Sequence, residues 1–342
     1  MTDSLPLKNN SRNYVIDNAK LLCLFIILYC HIPPAQGFIH SLAYSFHVPI
    51  FFLVAGMFFK NNPIKYVAVH SAQTLLVPYL IFNLLVIICS CTIAIVGHYG
   101  FDFTRNVLHP VYGILLGNTS KAAPYLIPGG PSWFLVALFC SRSIFSVILH
   151  SSILLRCIEV IVLVIIYFVT HFYIGWGLFS IDAAILGLPF LAIGFWARKY
   201  FINLINANIK YRLALLIICA VALISVVQIN GLANMFEGKY GSYFILFVLC
   251  GVIGSVMVFM ICSFMNYSNR VTRMLIDGST FFICMHILIM EYVELIYRRA
   301  FSISSELVFV DKMFVSIAVV FICLGCIFSY KKLRSVILSI RK

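Results

Sequence analysis

The chain is a succession of apolar runs, each roughly 17–25 residues long, joined by short polar connections. A run of that length crosses the hydrocarbon core of a bilayer as an α-helix, which satisfies its own backbone polar groups in lipid. Of the 342 residues, 63% are hydrophobic and 10% are charged. A soluble domain carries about 25% charged residues, and the mean hydropathy here is +1.04. The expected fold class is an all-α integral membrane protein, one polytopic domain over residues 1–342. Ten transmembrane helices are expected, near 14–31, 42–59, 74–97, 131–149, 157–174, 183–197, 211–229, 242–265, 279–297 and 313–330. The sixth is short, and Gly187, Pro189 and Gly194 predict a break in it. No internal repeat stands out.

The first run follows a polar stretch and ends in His31-Ile32-Pro33-Pro34 without a small-residue cleavage pattern, so it is expected to stay as a signal anchor. With the N-terminus in the cytoplasm, 17 Lys and Arg fall on the inner side, six fall on the outer side, and Lys20 lies within the first span. The inner set runs from Lys8 and Arg12 to Arg334, Arg341 and Lys342, and the outer set includes Lys121. The positive-inside rule then puts both termini in the cytoplasm. The net charge of +13 follows from this topology. No basic stripe or stacking platform accompanies it, so no nucleic-acid partner is expected.

Most of the twelve cysteines lie inside apolar runs and read as small packing residues, with no disulfide framework. Cys323-x-x-Cys326 has metal-like spacing but sits in a span without nearby His or Cys partners. The longest outer connection, about 98–130, ends in "GGPSW", and long loops often carry function.

Ionisable residues in the first span are costly and need a reason. Asp17 and Lys20 are three residues apart and can pair on one helical face. Lys20 and His31 are eleven apart, which returns to within roughly 20° of the same face over about 16 Å of rise. Two readings stand. The face points into the protein as a functional surface, or Lys20 snorkels to the headgroups and His31 sits at the outer interface. In the second span His40 and His47 share a face if helical, near His31. A polar pocket or plain packing accounts for these histidines better than a metal, since no acidic or Cys ligand is close. In the ninth span His286 is deep in the apolar run, and either core hydrogen bonding or a direct role explains it. Glu294 and Arg298 form an ordinary i,i+4 pair. Pro131 starts a helix, and Trp133 reads best as part of an aromatic belt.

Together these residues resemble the membrane-bound acyltransferase 3 family, in its fucose 4-O-acetylase-like branch. Asp17, Lys20 and His31 are similar to its opening Arg or Lys, ten residues, then His. "SFHVPIFFLVAGMFFK", "PSWFLVALF", "LPFLAIGFWARK" and "GSTFFICMHILI" look like its later elements, in order over nearly the whole chain. The third helix departs from the pattern. Residues such as Ser71 and Gln73 stand where basic residues are usual before Pro78-Tyr79, with His70 nearby and Lys60 or Lys65 as substitutes.

The resemblance implies an O-acetyltransferase moving an acetyl group from acetyl-CoA to a sugar hydroxyl of a cell-surface glycan such as O-antigen, capsule or exopolysaccharide. It implies a multi-pass protein of the bacterial cytoplasmic (inner) membrane. It assigns His31 as catalytic base, with Lys20 and Asp17 as electrostatic partners, and His47, Trp133 and His286 as substrate-binding residues. No metal is expected. The partners implied are the lipid bilayer, acetyl-CoA and a glycan or lipid-linked sugar acceptor. The rival reading is a transporter or flippase of a sugar or lipid-linked sugar, which polar groups at membrane depth suit equally well.

Overall fold

A computed structural model describes residues 13–33, 37–96, 100–117, 125, 127–175, 177–265, 269–303 and 305–340, apart from the side chains of Val96 and residues 333–340. The expectations resting on Lys8, Arg12, Pro34, Lys121, Arg341 and Lys342, and on the side chain of Arg334, lie outside these residues.

The helices are α1 (Tyr14–His31), α2 (Phe38–Tyr44), α3 (Pro49–Met57), α4 (Ile64–Ser71), α5 (Val77–Val96), α6 (His109–Leu116) and α7 (Trp133–His150). They continue as α8 (Ile153–Phe168), α9 (Ile181–Ile205), α10 (Ile209–Asn230), α11 (Phe244–Ser263), α12 (Arg270–Asp277), α13 (Ser279–Ala300) and α14 (Phe309–Ile340). Among the described residues they supply ten helical segments long and apolar enough to span a bilayer. The one β-type pairing described is an isolated bridge between Asn234 and Lys239. The protein is a multi-pass all-α membrane protein.

Two spans are interrupted for visible reasons. The second breaks between α2 and α3, where Pro49 cannot donate to the preceding turn and opens α3 as its first residue. The third widens at Ala72–Leu76, where the Val77 N–H donates to the Ala72 carbonyl just ahead of Pro78. The 98–130 connection contains α6, closed by Gly117 in a left-handed conformation.

The sixth span corrects the sequence reading. It is neither short nor broken: α9 runs 25 residues straight through Pro189. Its glycines serve packing. In lipid no hydrophobic force draws helices together, so close backbone approach carries much of the association. Gly194 lies against the Leu53 carbonyl and Gly56 against the Leu191 carbonyl, so the backbones of α3 and α9 touch. Gly187 leaves room for the Phe52 ring in the same seam. Ser141 ties α7 to α9 through a 2.8 Å bond to the Ala184 carbonyl. The seam holds α3, and with it the break at His47, against the centre of the bundle.

Candidate active site

A cavity of about 440 Å3 opens where α1, α2, α7 and α13 meet, lined by His31, His40, Tyr44, His47, Trp133 and His286 among others. His31 is the last residue of α1, and its Nδ1 lies 2.7 Å from the Ile27 carbonyl. His47 Nδ1 lies 2.6 Å from the Ala43 carbonyl, and His286 Nδ1 lies 2.8 Å from the Phe282 carbonyl. A carbonyl oxygen can only accept, so each Nδ1 donates its hydrogen, and in the neutral ring Nε2 carries a lone pair. His150, which does not line this cavity, makes the same bond to Ser146, so the bond is a helix habit. What separates the other three is the shared space.

The rings of His31 and His286 meet edge to face, 5.4 Å apart at 85°. His286 is 1% exposed, and its Nε2 has no hydrogen-bond partner among the described residues. A buried acceptor without a partner costs roughly 1–3 kcal/mol, so a group that donates to it there recovers free energy. Tyr44 joins the two histidines of the second span, 3.9 Å from the His40 ring and 4.7 Å from that of His47.

Trp133 corrects the aromatic-belt reading. It is 6% exposed and packs 6.0 Å from the Phe236 ring, inside the cavity wall. It is inward because a buried turn precedes it. Asn83 on α5 accepts from the Gly129 N–H at 2.8 Å and donates to Ser132 Oγ at 2.8 Å, fixing the start of α7. Asn83→Ala strands both groups and is expected to destabilise the protein by about 1–3 kcal/mol. Thermal unfolding in detergent checks this, and an unchanged midpoint contradicts it.

The connection between α10 and α11 completes the cavity with Asn234, Phe236 and Glu237. It is braced from several sides. Asn230 donates to the Tyr240 carbonyl at 2.9 Å and accepts from the Tyr243 N–H at 2.8 Å. Tyr167 OH donates to the Gly238 carbonyl at 2.6 Å. Sequence reasoning passed over this segment and Tyr44, because neither shows an ionisable residue inside an apolar run. The signal was the polar and glycine-rich string "NGLANMFEGKYGSY" between two spans.

Of the expected site residues, His31, His47, Trp133 and His286 line the cavity, whereas Asp17 and Lys20 do not. Those two form a pair at 3.5 Å on α1, with Lys20 about 16 Å of helix rise from His31. Asp17 is buried, and Lys20 keeps 30% of its side chain exposed. Glu294 and Arg298 pair at 2.8 Å as read from the sequence. All twelve cysteines are free, with Cys323 buried and Cys326 exposed. Among the described residues no group of three or more His, Cys, Asp or Glu side chains is placed to hold a metal ion.

A family model described as an acyltransferase domain matches residues 13–331. The chain belongs to the acyltransferase 3 family. No curated protein and no solved structure matched it. Membership makes the protein a membrane acyltransferase, and an acyltransferase 3 protein needs an acyl donor. The four expected residues in the cavity come from four separate segments of the family match, the C-terminal end of α1, the break between α2 and α3, the start of α7 and the first half of α13.

Proposed function

We propose that this acyltransferase moves an acetyl group from acetyl-CoA to a sugar hydroxyl of a cell-surface glycan, in the bacterial cytoplasmic membrane and with both termini in the cytoplasm. The observation that carries the reading is the meeting of His31 and His286 in one cavity, each with Nδ1 held by a carbonyl. A sugar hydroxyl is a weak nucleophile and needs a base, and histidine is the side chain that exchanges a proton near neutral pH. His31 takes the hydroxyl proton at Nε2 while the hydroxyl oxygen bonds to the thioester carbonyl carbon. The carbon–sulfur bond breaks, and the proton passes from His31 to the departing CoA sulfur. His286 offers its Nε2 to a second hydroxyl of the acceptor. Trp133, Phe236 and Tyr44 supply apolar faces of the kind on which sugar rings pack, and His47 lines the same wall.

Lys20, oriented by Asp17, supports the donor electrostatically from about 16 Å along α1, a distance comparable with an extended pantetheine arm. Lys20→Ala is expected to raise the acetyl-CoA concentration needed for half-maximal rate roughly three- to tenfold, the scale of one partly exposed charged contact. Membrane insertion stays normal. A steady-state titration of acetyl-CoA in membranes checks it, and an unchanged dependence contradicts the role.

A further inference from the structure

The donor in this reading carries phosphates on its adenosine end, and phosphates need cations. The third span holds Ser71 and Gln73 at positions where the family resemblance implies basic residues, and Lys60 and Lys65 are exposed without lining either cavity. A second concavity, of about 580 Å3, lies between α12 and the far end of α14. Arg270, Arg273, Lys331 and Lys332 line it with Phe328 and Asp277. Four cations and one acid line it, and Lys331 Nζ lies 3.1 Å from Asp277. All four basic side chains are exposed, as a solvent-borne ligand requires.

The local sequence builds this site deliberately. Asn269 caps α12 in a reciprocal capping box with Thr272, which fixes a short helix that propensity alone would not hold. Arg270 and Arg273 are three apart and share a face of that helix. Gly278 then lets α12 and α13 close on Ile327 of α14, drawing the basic end of α14 alongside.

Position ties the concavity to the catalytic cavity. α12 and α14 both pack on α1, and Asn18 near the start of α1 donates to the Met265 carbonyl at 2.6 Å, so the basic site shares the Lys20 end of the bundle. From Ser279, which follows the site in sequence, His286 is seven residues along α13, about 10 Å of rise. The histidine pair therefore lies farther along α13 from the basic concavity, in the direction that an acyl arm anchored there by its phosphates would have to extend.

We propose that Arg270, Arg273, Lys331 and Lys332 bind the phosphorylated adenosine end of the acyl-CoA donor, a role that Ser71 and Gln73 of the third span, being uncharged, do not fill. The inference rests on the acetyl-CoA reading above. Anionic lipid headgroups offer the same phosphate chemistry, so the test separates the two sources.

The experiment is calorimetric titration of acetyl-CoA and of acetyl-3′-dephospho-CoA into the full-length protein in phosphatidylcholine nanodiscs. It is repeated for Arg270→Ala/Arg273→Ala and for Arg270→Lys/Arg273→Lys. Wild type is expected to bind acetyl-CoA about tenfold more tightly than the dephospho form, the scale of one charge-assisted contact. The alanine variant is expected to lose about tenfold in acetyl-CoA affinity and most of its discrimination between the two ligands. The lysine variant keeps part of both, which reports that the fold is intact. Wild-type binding with no change in the alanine variant overturns the site and leaves the donor reading standing. Absence of acetyl-CoA binding by wild type overturns both. A parallel titration of soluble phosphatidylglycerol completes the test. If the alanine variant weakens for that lipid while keeping its acetyl-CoA affinity, the cations serve headgroups and the proposal falls.

Discussion

His31→Ala is expected to lower the rate of acetyl transfer by about 10²–10⁴-fold, the contribution of a positioned general base, while the protein still inserts and folds. His31 ends its helix beside Ile32 and Pro33, so the substitution removes one ring and one bond to the Ile27 carbonyl without disturbing a packed seam. Partner His286 is the informative comparison. His286→Ala removes a ring that shares the cavity but leaves the proposed base in place, so it should weaken acceptor use more than it lowers the maximal rate. Rates from washed membranes with labelled acetyl-CoA check both. Acetylation by His31→Ala at the wild-type rate contradicts the assignment.

Gly194→Ala is expected to abolish the folded protein or to destabilise it by more than about 3 kcal/mol, the upper end for overpacking. A Cβ at Gly194 meets the Leu53 carbonyl, and one at Gly56 meets the Leu191 carbonyl. Both obstacles are backbone, so no side-chain rearrangement relieves them. The two helices must separate, and the break at His47 moves with α3. Gly325 is the control, because a Cβ there meets nothing within 4 Å and Gly325→Ala should be neutral or slightly stabilising. Size-exclusion profiles and thermal unfolding in detergent read the difference. Equal behaviour of the two variants contradicts the account of the α3–α9 seam.

The ten spans were legible because each is an apolar run of bilayer length, a property of composition alone. The approach of His31 and His286 was legible only as two costly residues looking for a reason, since their spans are separated by more than 200 positions of sequence. Pro189 and the glycines around it misled, because the same residues that break an isolated helix are tolerated where a neighbouring backbone presses against them. Trp133 misled for a related reason. Its place near a span end fits a belt, and its inward turn depends on Asn83, an amide on another helix that hydropathy does not weigh. The loop bearing Phe236 and Glu237 was invisible to any search for charges in lipid, as it lies between spans and enters the cavity only through the bracing by Asn230 and Tyr167. The basic concavity of α12 and α14 was read as part of an inner-side charge count, since convergence of separate segments is a property of the fold.

The most direct test of the central claim is mass spectrometry of the host's surface glycan with and without this chain, complemented by wild type and by His31→Ala. The expected result is an acetyl mass difference on the glycan that wild type restores and His31→Ala does not. A glycan of identical mass in all strains, or movement of a sugar without any covalent change, contradicts it.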